Sequence, residues 1–114
     1  MIRAKTKKVI LGIDPGIGIV GYGSVVLEKH LLHCLSYGCI KTKSGTPLAE
    51  RLLSLYTQLK TLVSEIKPDV VGISCMYTAY SGDAHRVARI VKDLDKKIHV
   101  IMGGAHASTF PELV

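Results

Sequence analysis

Residues 8–16 read KVILGIDPG, and this stretch decides the fold. Lys8–Ile13 is an apolar run too short for a stable helix, and Asp14-Pro15-Gly16 closes it with turn formers. An apolar run of that length, bounded in that way, reads as a buried strand. Beyond the Pro15–Gly18 turn, Gly18–Glu28 (GIVGYGSVVLE) resumes with β-branched and aromatic residues, which predicts an antiparallel hairpin. Leu32–Thr42 (LHCLSYGCIKT), entered through the polar corner Glu28-Lys29-His30 and ended by Ser44-Gly45, predicts a third strand.

The period then changes. Thr46 suits an N-cap and Pro47 the first helical position, where a missing N–H costs nothing. Leu48, Leu52, Leu55, Leu59, Leu62 and Ile66 recur at three- and four-residue steps, an apolar helical stripe that Pro68 stops. Glu50 stands in the first turn, on the favourable side of the helix dipole. Val70–Cys75 (VVGISC) is continuously apolar, as a central parallel strand is. Ser81 suits the N-cap of a second helix reaching about Lys96, with Ala84, Val87, Ala88, Val91 and Leu94 as its buried stripe. Ile98–Met102 predicts a fifth strand, stopped by Gly103-Gly104, and Ser108–Val114 the opening of a third helix. Three meandering strands followed by right-handed crossovers give an α/β protein with a mixed five-stranded sheet in the order 3-2-1-4-5.

The chain has 114 residues and weighs 12.3 kDa, which is one domain over residues 1–114. Its 47% apolar and 21% charged residues exclude intrinsic disorder. No apolar run approaches the ~20 residues of a membrane span, so no membrane partner is expected. Asp14, Pro15 and several glycines break the stretch after the basic MIRAKTKK start, which excludes a signal peptide there. Cys34, Cys39 and Cys75 are an odd count without close pairing, which predicts free thiols and a reducing, cytoplasmic location. Charge is uneven: residues 1–67 hold 10 basic and 4 acidic groups, whereas residues 68–114 hold 5 of each. Arg3, Lys5, Lys7 and Lys8 supply +4 of the +6 net charge, and they are the expected nucleic-acid contacts.

Residues 9–73 resemble the N-terminal part of RuvC, a Holliday-junction resolvase family with an RNase H-like three-layer fold. The resemblance rests on Ile10–Gly16 (ILGIDPG), Gly21–Gly23 (GYG), Gly38–Thr42 (GCIKT), the helix Pro47–Ile66 and Lys67-Pro68-Asp69. Residues 68–114 instead resemble the later part of the flavodoxin-like, Rossmann-like cobalamin-binding domain that precedes radical-SAM domains. The residues concerned are Pro68–Tyr77 (PDVVGISCMY), Ser81–Asp95 and the GGxH element in Gly103–Leu113. The two resemblances meet at Lys67-Pro68-Asp69, close to the charge step. They read as an engineered chimera of a RuvC-like fragment (1–67) and a cobalamin-binding-domain-like fragment (68–114).

Each resemblance implies a site that this chain carries in part. The first makes Asp14, at the end of the first strand, a catalytic ligand of the divalent ions that hydrolyse phosphodiesters. It implies a further carboxylate at the end of the fourth strand, where this chain has Ser74, and an acidic pair on a last helix that these residues do not supply. Mg²⁺ keeps most of its waters and needs near-octahedral oxygen ligands, so one carboxylate holds it weakly. The second resemblance implies a cofactor groove at Ser74, Gly103 and Gly104. Its cobalt-ligating Asp-x-His-x-x-Gly loop does not occur in these residues, so cobalamin is not expected. Asp83 reads as first-turn decoration of its helix. His30, His33 and Cys34 lack a fourth zinc partner at a usual spacing and read as strand-edge residues.

Two partial sites in one chain predict a folded chimera without catalytic activity and without a cofactor. The alternatives are a residual RuvC-like, metal-dependent DNA endonuclease, with Mg²⁺ at Asp14, or a weak, sequence-independent DNA-binding module. A homodimer closed over the fifth strand is expected, because Ile98, Val100 and Met102 would be left uncovered there.

Overall fold

The computed structural model describes residues 6–16, 18–75 and 81–104. β1 (Lys7–Asp14), β2 (Ile19–Glu28) and β3 (Leu31–Lys41) form an antiparallel meander. α1 (Leu48–Ile66) leads to β4 (Val70–Ser74), and α2 (Ser81–Leu94) leads to β5 (His99–Gly103). β4 runs parallel to β1, and β5 runs parallel to β4. The sheet order is β3-β2-β1-β4-β5, as the element order and crossover rule predict.

The turn after β1 is tight. A Cβ at Gly16 would collide with the Ile19 carbonyl oxygen, so this position requires glycine. The β2–β3 turn is made by Lys29 and His30, both with positive φ (51° and 64°). A bulge in the β2–β3 pairing sets Ser24 opposite Ser36 and Val25 opposite Cys34, which leaves Leu35 without a partner.

One face of the sheet is covered. Leu11 and Ile13 of β1, Val71 and Ile73 of β4, and Val20 and Ile40 of the hairpin pack with Leu55, Leu59, Leu62 and Val63 of α1 and Val87 and Val91 of α2. The other face of β1, β2 and β4 is paved with Gly12, Gly21, Gly23 and Gly72, above which an open bay of about 570 Å³ remains. The described residues thus form two layers. The helix expected at 108–114 lies outside them.

Several boundaries differ from expectation for local reasons. α1 begins at Leu48, because Pro47 has extended backbone (ψ 147°) and is itself the cap residue. Its carbonyl accepts the first helical bond, from the Arg51 N–H at 3.1 Å. The Thr46 hydroxyl donates back to the Lys43 carbonyl at 2.7 Å and does not cap the helix. Leu48 is exposed, so the buried stripe starts later. α2 stops at Leu94, before the expected Lys96, and Asp95 turns the chain: its carbonyl accepts from Ile98 N–H and its Oδ1 from Lys97 N–H. Ile98 is 3% exposed, while Val100 and Met102 pack against the core. The apolar end expected to stay open over β5 is therefore covered, by α2, which lies on this side of the sheet.

Candidate active site at the carboxyl edge of the sheet

β1 and β4 are parallel and end together. Their last paired residues are Ile13 and Ile73, and the next residues are Asp14 and Ser74. Strand alternation puts both on the face opposite the helices. The Ser74 hydroxyl donates to Asp14 Oδ1 at 2.7 Å. Asp14 is exposed and Ser74 half-buried. The neighbours across the sheet are Gly21, paired with Asp14, and Gly103, paired with Ser74. Neither offers a side chain, so the carboxylate and hydroxyl stand alone above a floor of backbone.

The donor set limits what the edge can hold. Among the described residues no three His, Cys, Asp or Glu side chains converge as a metal cage. One carboxylate with a hydroxyl beside it suits a single, largely hydrated dication held through oxygen. It does not suit a pair of ions, which several bridging carboxylates must clamp about 4 Å apart.

The other residues singled out in the sequence are dispersed. Lys7 and Lys8 are exposed at the opposite end of β1, seven residues from Asp14. At about 3.3 Å per residue that is roughly 23 Å, so they serve a different edge. Arg3 and Lys5 lie outside the described residues, as does His106. Gly103 is the last residue of β5, and only Gly104 has a positive φ (107°). With Ser74 bonded to Asp14, Ser74, Gly103 and Gly104 do not act as one groove. Asp83 pairs with Arg86 at 3.1 Å within α2, the first-turn role expected of it. His30 sits in the β2–β3 turn and His33 is exposed on β3, and no metal cage includes either.

Sequence reasoning missed two groups near this edge. Arg51 donates from Nε to Thr42 Oγ1 at 3.2 Å and lies beside Gly18, tying α1 to both the β1–β2 turn and the end of β3. With Arg86, it lines a small cleft behind Gly16. Its only sequence signal was a cation just inside the helix start. Asp69 is the second group: its N–H donates to the Val9 carbonyl at 2.8 Å, and its Oδ2 accepts the Val9 N–H at 2.9 Å. The cysteines behave as expected of free thiols. Cys34 and Cys39 are exposed, and burial pushes the Cys75 thiol up.

A mixed 3-2-1-4-5 sheet with an acidic residue at the carboxyl end of β1 defines the class of RNase H-like nuclease folds. The model of the family described as crossover junction endodeoxyribonuclease RuvC matches residues 10–102, and the chain belongs to this family. Its relative from Alkaliphilus metalliredigens is 45% identical over 69 residues, which is 60% of this chain and 42% of that protein. The Finegoldia magna protein of the same description is 43% identical over 60 residues, 53% of this chain and 37% of that protein. The chain thus matches less than half the length of these curated relatives. The fold is also that of Thermus thermophilus RuvC, with a TM-score of 0.70 at 20% identity, covering 90% of this chain and 67% of the other.

These matches overturn the reading of an engineered chimera without activity. One family model runs unbroken through Lys67-Pro68-Asp69 and takes in α2 and β5, the region assigned to a cobalamin-binding domain. The structure gives the physical reason. β4 enters the sheet at that point, clamped to β1 by both bonds between Asp69 and Val9, and both halves share one core.

Proposed function

We propose that the chain carries the β1 edge of a divalent-cation-dependent DNA endonuclease of the RuvC type, acting on branched DNA. The observation that carries this is Asp14, exposed at the carboxyl end of β1 within a family match that spans residues 10–102. Asp14 anchors one hydrated cation through its carboxylate. When bound, the cation supplies Lewis-acid chemistry at a phosphodiester. Arg51 and Arg86, near the same edge, lie where a phosphate backbone passes. Arg3, Lys5, Lys7 and Lys8 add sequence-independent affinity away from Asp14.

The test is cleavage of a labelled four-way junction and of a linear duplex of the same sequence, with Mg²⁺ or Mn²⁺. Cation-dependent cutting of the junction, lost in Asp14→Asn, is expected. No cutting by the native chain, or equal cutting by Asp14→Asn, overturns the proposal.

A second reading, DNA binding without cutting, is favoured by the single carboxylate at this edge. Its signature is junction affinity that falls with salt while both proteins leave the strand intact. Four phosphate contacts would give a slope of log K against log salt of about −4 at most, since each contributes roughly −0.9. Deleting residues 1–7 would reduce that slope.

A further inference from the structure

We infer that Ser74 is a positioning residue for Asp14, fixing its carboxylate so that the edge binds one divalent cation per chain. The inference rests on the cation proposed at Asp14 and assigns Ser74 a role in holding it. Across the carboxyl edge of the sheet, the register sets Cys39, Gly21, Asp14, Ser74 and Gly103 in one row. Glycine stands on each side of the central pair. Neither Gly21 nor Gly103 can bond the Asp14 carboxylate with a side chain, and the neighbouring glycine floor of Gly12, Gly23 and Gly72 cannot do so either. Ser74 is thus the side chain that restrains Asp14 among the described residues, through one bond of 2.7 Å.

That bond has a specific consequence. An aspartate on an exposed strand end samples several rotamers, and binding a cation must freeze them. A hydroxyl donating to a carboxylate forms a short, charge-assisted bond and holds one rotamer in advance. It occupies Oδ1, and among the described residues nothing donates to Oδ2. One oxygen is held and the other is presented to solvent. A hydroxyl also adds no charge, so the site neutralises one positive charge of a dication and has no means to gather a second ion. Partners that orient a ligating group from behind commonly change metal affinity 10–100-fold when removed.

The experiment is a Mn²⁺ titration of the whole chain, followed by the electron paramagnetic resonance of free Mn²⁺, with native protein, Asp14→Asn, Ser74→Ala and Ser74→Thr. Thermal melting of each variant confirms folding. Threonine keeps the hydroxyl and suits a strand, and the open space over Gly103 takes its extra methyl. One Mn²⁺ per chain is expected in the native protein and in Ser74→Thr. Affinity about tenfold weaker is expected in folded Ser74→Ala, and none at this edge in Asp14→Asn. If Ser74→Ala binds as the native chain does, or Ser74→Thr binds as weakly as Ser74→Ala, the positioning role is overturned while the cation at Asp14 stands. A native chain that binds no Mn²⁺, or binds it equally after Asp14→Asn, overturns the cation reading as well. Two ions per native chain overturn the single-cation site.

Discussion

Asp69 shows how one side chain can join two crossover units. It bonds Val9 through its own N–H and through its carboxylate, at the point where β4 meets β1. A hydrogen bond to a charged group is worth about 1.5–3 kcal/mol. Asp69→Ala should therefore lower the unfolding free energy by about that amount, read as a lower urea midpoint with an unchanged slope. Asn at this position should recover part of the loss, because its amide oxygen can still accept from Val9. The cysteines make a separate residue-scale prediction. The thiolate is the reactive form, and Cys75 is both buried and held towards its neutral thiol, whereas Cys34 and Cys39 face solvent. A thiol-reactive chromophore should titrate two equivalents quickly in the native protein. The third should appear only on denaturation. Three fast equivalents would mean that the carboxyl end of β4 opens readily.

At the scale of elements, three non-glycine residues adopt the left-handed conformation, and all three end an element. Lys67 (φ 52°) caps α1, its N–H bonded to the Val63 carbonyl at 2.8 Å, while Lys29 and His30 make the β2–β3 turn. The left-handed region costs an ordinary L-residue about 1–2 kcal/mol and glycine almost nothing. Lys67→Gly and His30→Gly should each raise the thermal midpoint, by a gain of roughly 1 kcal/mol less the entropy glycine adds to the unfolded chain. A lowered midpoint in both would mean that the Lys67 and His30 side chains contribute more than their backbones cost. These turns explain much of what was legible in the sequence. Apolar runs and leucine spacing were enough to place all five strands and both described helices, because burial imposes those periods. The turn between β2 and β3 was read only as a polar corner, since Lys-His lacks the Asn-Gly signature of a turn with two positive φ values. The Leu35 bulge was invisible because Leu32, Leu35 and Tyr37 give no strict alternation. In the site, Asp14 was legible from its turn and motif. Its bond to Ser74 depends on two strands 60 residues apart ending level. The lysine tail was misplaced relative to Asp14, because composition counts charges but does not say at which end of a strand they lie.

For the whole molecule, the step in charge after residue 67 suggested two origins, yet charge is a surface property that does not determine strand pairing. Backbone pairing and one shared core make the chain a single unit across that step. The same distinction relocates the expected self-association. β5 is an edge strand of only five residues, its Ile98 is buried, and Ile101 is its one large exposed apolar side chain. β3, at the other edge, has eleven residues, and among the described residues only β2 pairs with it. Leu31, Leu32, Leu35 and Tyr37 are 61%, 64%, 52% and 82% exposed along it. No Lys, Arg, Asp, Glu or Pro interrupts Leu31–Ile40, so the edge lacks the residues that usually blunt pairing with another chain. The bulge at Leu35 twists the strand and confines any added pairing to the short runs on either side, so the contact should be weak and concentration-dependent. Light scattering over a concentration series should show the average mass rising above 12.3 kDa. Combining Leu32→Lys with Tyr37→Lys places charge on both runs and should hold the protein at monomer mass throughout. A native mass that stays constant, or an equal rise in the double variant, would show that β3 is not the contact.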